Sequence, residues 1–194
     1  MLDPKVQQEW IDKGRYFMKA IWNDERAAFE SDQDLKKPQP PLVKAPMRPG
    51  QTPIVLPRDF ETLDLQNDLI KALTQRKSSR YYSQEVVNLK QLSFLLWAIQ
   101  GVKGIRGKSY ATLRTVPSGG ARHPFETYLL VRDVEGLKPG KYHYLPFEHQ
   151  LEWLGEYEDY KGLVNETLQG QSWAAKANVI FYWSFVPYRA EWRY

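Results

Sequence analysis

The run Asn178-Val179-Ile180-Phe181-Tyr182-Trp183-Ser184-Phe185-Val186 constrains this chain more than any other. Its β-branched and aromatic residues suit an extended strand, and apolar side chains fall on both alternating faces. A strand apolar on both faces needs cover on both, so its expected place is the middle of a sheet. A second run, Phe125-Glu126-Thr127-Tyr128-Leu129-Leu130-Val131-Arg132, has the same character and is its expected neighbour. Residues 141–145 and 150–154 read as a hairpin-like pair. Helical patterns near 64–76, 89–100 and 159–169 alternate with these strands, the first with Leu65, Leu69 and Leu73 on one face. The alternation predicts an α+β fold, a mainly antiparallel central sheet flanked by helices.

The N-terminal third is organised differently. Asp3 followed by Pro4 is a helix start, and Val6, Trp10, Phe17 and Ile21 recur on one face of a helix expected to run to about Phe29, with Gly14 as a weak point. Residues 36–57 then carry seven of the thirteen prolines. Proline removes amide donors and disfavours helix before it, so this stretch is an extended connector. A strap laid over the domain surface is favoured over a polyproline ligand. The expected organisation is an N-terminal helical segment at 1–35, a Pro-rich connector at 36–62 and a domain at 63–194. A length of 194 residues suits one domain with at most an appendage.

Two polar segments are candidates for chemistry. Pro117-Ser118-Gly119-Gly120 opens directly into the 125–132 strand, and its two glycines let main-chain N–H groups approach a flat or anionic ligand. Arg76-Lys77-Ser78-Ser79-Arg80 follows a helical pattern, and its three cations and two hydroxyls suit a phosphate. Each has a plain reading by itself, an ordinary loop and a solvated helix end. With the apolar helix 92–102 between them, and with Val134-Glu135-Gly136-Leu137-Lys138-Pro139-Gly140-Lys141-Tyr142-His143-Tyr144 after them, the ordered series resembles the nitroreductase superfamily, in its SagB-type dehydrogenase-like branch. The resemblance covers about residues 60–194.

That resemblance implies an FMN-dependent oxidoreductase of nitroreductase-like fold, with FMN bound at the interface of a homodimer. Electrons would pass between the flavin and a nicotinamide, NAD(P)H as donor, or a small-molecule or peptide substrate. Arg76, Ser78 and Arg80 would hold the FMN phosphate and ribityl chain, and Pro117, Ser118, Gly119 and Gly120 would line the isoalloxazine ring. The chemistry would reside on the cofactor, so no catalytic side chain is assigned. The chain is also expected to end before the family's C-terminal portion, which makes a non-catalytic remnant or partner-binding half-domain the competing reading. Azoline-oxidising relatives tend to carry a Lys-Tyr pair where this chain has Arg193-Tyr194, and an arginine does not serve as a base.

Composition removes several classes. With no cysteine there is no disulfide, thiolate metal site, thiol nucleophile or Fe–S cluster. A net charge of +4 falls short of a dedicated nucleic-acid binder. No apolar run reaches membrane-spanning length and no signal peptide is evident, so no membrane partner and a cytoplasmic location are expected. The 101–109 stretch lacks the first glycine that a phosphate-binding Gly-Lys-Ser loop needs, Val102 standing in its place, and is expected to be a flexible basic connector. His143 and His149 are expected at the surface or in packing, with no metal, while His123 could turn a ring nitrogen toward the 117–120 turn. Trp173, Tyr188 and Trp192 add apolar surface near the C-terminus, and self-association is expected.

Overall fold

The computed structural model describes residues 3–17, 30–65, 68–108 and 110–194. Helix α1, Pro4–Phe17, starts where Asp3 caps it, accepting from the Lys5 amide. Its residues 4–16 are exposed, Trp10 included. The expected continuation through Ile21 to Phe29 lies outside the described residues.

Strand β1 (Ile54–Val55) closes the proline segment, and α2 (Leu69–Gln75) follows with Asp68 capping Lys71. The β2 pair Val87–Asn88 leads into α3 (Leu89–Gln100), whose start is a reciprocal Asn88–Gln91 capping box. Next come β3 (Val102–Arg106), β4 (Ala111–Arg114), β5 (Phe125–Val131), β6 (Val134–Glu135), β7 (Gly140–Leu145) and β8 (Gln150–Gly155). Helix α4 (Tyr160–Thr167), capped by Asp159, then β9 (Val179–Phe185) and α5 (Pro187–Glu191) complete the order.

The central sheet runs β1-β8-β7-β5-β9 with every neighbouring pair antiparallel. The expected pairing of the two apolar strands is present along their whole length, from Phe125 opposite Phe185 to Val131 opposite Val179. Alternation along β5 then splits the core. Leu129 and Val131 join Tyr142, Tyr144 and Leu151 beneath Leu92 and Leu96 of α3. Leu130 faces the other way, against Val164 of α4, Ala174, Ile180 and Tyr182.

A buried polar staple ties the first layer together. Tyr144 donates to His149 Nδ1 at 2.7 Å, His149 Nε2 meets Ser93 Oγ at 2.7 Å, and Ser93 donates to the Pro57 carbonyl. The directions are forced, because Ser93 spends its proton on Pro57 and so accepts from the ring. His149 is therefore a neutral packing histidine, and burial, reinforced by the Arg58 charge, pushes its pKa down to about 4.

Several expectations need correction. Strand β9 is an edge strand, because β5 has β7 on its other side and no second partner for β9 occurs among the described residues. Trp183 and Phe185 are half-exposed there. The 101–109 stretch is no loose connector: β3 pairs antiparallel with β4, and Gly107, at φ 64°, makes the reversal. A bulge between Val102 and Gly104 breaks the two-residue alternation and hid the strand. The Leu69–Leu73 face of α2 is exposed rather than packed. Trp192 is buried, donating from Nε1 to the Lys37 carbonyl, instead of adding to the surface.

Candidate functional site

The 117–123 turn stands at the Phe125 end of β5. Gly120 (φ 56°), Ala121 (φ 53°) and His123 (φ 42°) all occupy the left-handed region. For a residue with a Cβ that conformation costs about 1–2 kcal/mol, so Ala121 and His123 persist only because their surroundings over-determine them. Ser118 Oγ accepts from the His123 amide at 2.9 Å, and the Ala121 amide closes back on the Ser118 carbonyl at 2.9 Å. Buried Arg122 donates to the Gly120 carbonyl at 3.0 Å and the Tyr110 carbonyl at 2.6 Å, its guanidinium lying between the Tyr110 and Trp192 rings. Arg189 Nη1 donates to the His123 carbonyl at 3.2 Å.

Two features of this turn favour a ligand. Among the described residues, neither the Gly119 nor the Gly120 amide has a hydrogen-bond partner. The outer face of the turn is also glycine for a reason. A Cβ on Gly120 would sit 2.5 Å from Arg193 Cδ and 2.8 Å from the Tyr194 hydroxyl, and one on Gly119 would touch the Tyr194 ring at 3.6 Å. An aromatic ring already rests on this glycine surface. His123 itself is buried, and burial, with the Arg114 charge, lowers its pKa to about 4. A histidine so neutral is a packing group with a backbone hydrogen bond to Thr112, and it brings no cation to the turn.

Behind the turn lies a buried charged cluster that the sequence did not disclose. Glu126 meets Arg189 Nη1 at 2.5 Å and His143 Nε2 at 3.2 Å, and His143 Nδ1 reaches Glu152 at 3.2 Å. All four side chains are almost completely buried. Burial pushes the Glu126 carboxyl up, yet His143 and Arg189 outweigh it and hold it below the ordinary carboxylate range. A glutamate inside each of two otherwise apolar strands, Glu126 in β5 and Glu152 in β8, was the available signal. In β5 and β8 these two fall on one sheet face only because of the register, which puts His143 opposite both Tyr128 and Glu152.

The second expected segment is placed differently. Arg76, Ser78 and Arg80 are exposed, the chain having left helix at Arg76. Arg80 lies over the Trp173 ring at 5.5 Å, and Tyr82 stacks on the same ring. Asn178 bonds the nearby Glu85 carbonyl, and Val87 pairs with Val134. The segment therefore sits at the Val131 end of β5, whereas Pro117, Ser118, Gly119 and Gly120 sit at the Phe125 end. Seven extended residues separate the two ends by about 20 Å. Within one chain the two groups therefore stand toward opposite ends of β5. Among the described residues no cluster suited to a metal ion occurs, and no helix is long and apolar enough to cross a membrane.

Known proteins share this sequence and architecture. Residues 73–194 match the family model described as "Nitroreductase family". Over 102 residues the chain is 39% identical to "Putative nitroreductase MJ1384" of Methanocaldococcus jannaschii, covering 53% of this chain and 47% of that protein. A 40-residue stretch, 20% of this chain, is 50% identical to 11% of the trifolitoxin-processing protein TfxB of Rhizobium leguminosarum bv. trifolii. The fold is similar to the crystal structure of a "putative nitroreductase" from Anabaena variabilis, with a TM-score of 0.59 at 24% identity, over 93% of this chain and 33% of that one. The chain thus spans less than half the length of these curated relatives. With the family model covering well over half of its residues and the antiparallel sheet and flanking helices in place, the chain belongs to the nitroreductase family.

Proposed function

We propose that this chain forms part of an FMN-dependent oxidoreductase of the SagB-type dehydrogenase-like branch. The observation that carries the reading is the strained, well-held 118–123 turn with its two unpaired amides on a glycine face. Main-chain donors of this kind fit the edge of a flat, electron-accepting ring, and Pro117, Ser118, Gly119 and Gly120 are the residues assigned to it. Arg76, Ser78 and Arg80 are assigned to the phosphate and ribityl chain, for which exposed arginines and a hydroxyl are chemically apt. FMN, when bound, supplies the electron-transfer chemistry, and the chain's own residues bind and orient it. The partner in that transfer is NAD(P)H or a small-molecule or peptide substrate, and the name of the trifolitoxin-processing relative supports the peptide.

The two assigned groups stand toward opposite ends of β5, a strand about 20 Å long. We therefore place the complete cradle between two copies, each supplying one group, in a homodimer. The half-exposed apolar edge of β9 supports such an assembly. The domain division at 1–35, 36–62 and 63–194 is kept as part of this proposal.

Titration with FMN tests the reading, followed by visible absorbance and by calorimetry, alongside light scattering. The expected result is a yellow dimer. In Arg80→Ala, affinity should fall by about 1.5–3 kcal/mol, the usual worth of a charged hydrogen bond. A folded protein that stays colourless with excess FMN would establish the competing reading, a non-catalytic half-domain. The exposed α2 face and β9 edge are the features that favour that second reading.

A further inference from the structure

Besides the pairing of β1 with β8 and the Leu56 amide on the His149 carbonyl, the proline segment sends main-chain amides to two buried carboxylates of the sheet. The Lys44 amide donates to Glu126 Oε1 at 3.2 Å, and the Arg48 amide donates to Glu152 Oε1. A segment with so many prolines has few amides to offer, and these two are spent on carboxylates inside the sheet. His143 bridges the two glutamates with both ring nitrogens. Each ring nitrogen lies within hydrogen-bond reach of one carboxylate, so the imidazole ties the two glutamates into one cluster. The Arg189 guanidinium meets Glu126 from the other side, and Tyr128 stacks on the imidazole at 4.9 Å.

The same cluster reaches the turn. Arg189 is buried, its ion pair among the described residues is with Glu126, and the same Nη1 donates to the His123 carbonyl. His123 is one of the two left-handed residues with a Cβ in the turn, a conformation that holds only under outside constraint. A continuous set of contacts therefore runs from the strap amides through Glu126 and Arg189 to His123, whose amide is bonded to Ser118.

We propose that the proline strap is the latch of the 118–123 turn, with Glu126 and Arg189 as positioning residues that transmit its docking to the turn. While the strap is down it excludes water from Glu126, and Glu126 keeps Arg189 fixed beneath the His123 carbonyl. When the strap lifts, water enters, the ion pair is screened, and the turn loses one of its holders. Linkage makes the effect reciprocal: a ligand that orders the turn tightens the strap. The ligand side of this statement rests on the flavin reading above.

The test compares two substitutions at one exposed position. Lys44→Pro removes the amide that reaches Glu126, and Lys44→Ala keeps it while removing the side chain, including its contact with the Tyr128 hydroxyl. Amide hydrogen exchange is read at Ala121, Arg122 and His123 in the ligand-free protein, and FMN affinity is read by fluorescence. The latch predicts exchange in the turn faster by about tenfold in Lys44→Pro, FMN binding weaker by a similar factor, and changes within about twofold in Lys44→Ala. Arg48→Pro, acting through Glu152 and His143, should move the turn in the same direction by less. Unchanged exchange in the turn of Lys44→Pro overturns the latch, whatever the strap does, and so does an equal effect of Lys44→Ala. If no protein in the set binds FMN, the flavin reading fails while the exchange data still decide the latch.

Discussion

The 118–123 turn is held from several sides, whereas the 76–80 segment stands in solvent with one aromatic contact. Ser118, Arg122 and Arg189 each bond the turn, and buried Glu126 stands behind them. The segment has Ser79 bonded to the Tyr81 carbonyl and Arg80 over Trp173. A turn so constrained can store the cost of left-handed residues and keep its own backbone fixed when a ligand takes the place of the Tyr194 ring. An exposed run of arginines, lysine and serines must be ordered when its ligand arrives, and that ordering subtracts from affinity. One half of the proposed cradle is preformed and the other is assembled on use.

The sharpest way to break this contrast is Arg189→Ala. It leaves buried Glu126 with only His143 and the Lys44 amide as partners, and loss of one partner of a buried pair costs about 3–5 kcal/mol, to be read from urea unfolding. A loss under about 1 kcal/mol would show that the turn is not over-determined at all. Acid is the next lever. His149 and His123 have pKa values lowered to about 4 when folded, against 6.5 as the ordinary value. The unfolded chain thus binds protons first, so stability is full above about pH 6.5 and declines as pH falls toward 4. For His149 the loss is on the order of 2–3 kcal/mol, and unfolding midpoints at pH 7 and 4.5 should differ accordingly. Glu126 and Glu152, also lowered, add a loss in the same direction as they are protonated below their ordinary range.

Smaller effects sharpen the comparison. Gly120→Ala places a Cβ at φ 56° against Arg193 and Tyr194, and should lower stability by about 1–2 kcal/mol in a thermal melt. Arg80→Ala forfeits only an exposed cation–π contact, so its stability change should stay within about 0.5–1 kcal/mol while FMN affinity drops. A larger stability loss at Arg80 would mean that both halves are built into the fold, and the contrast would vanish.

Residue pattern alone determined the sheet strands at 125–132 and 178–186 and their pairing, the hairpin of 141–145 with 150–154 and the helices near 89–100 and 159–169. It also determined the extended nature of the proline segment. These are local matters, set by side-chain alternation, capping and proline chemistry within a few residues. The glycine turn was legible too, because Ser-Gly-Gly before a strand is a local signal. Tertiary structure decided the rest. Whether β9 is central or an edge depends on which strands lie beside β5, and no feature of residues 178–186 encodes that. The Glu126–His143–Glu152 set arises from register across three strands, and Arg189 joins it from about 60 residues away along the chain. The distance between the two proposed half-sites is likewise a property of the fold. Adjacency along a chain follows from chemistry over a few bonds, but adjacency in space follows from packing the whole sheet.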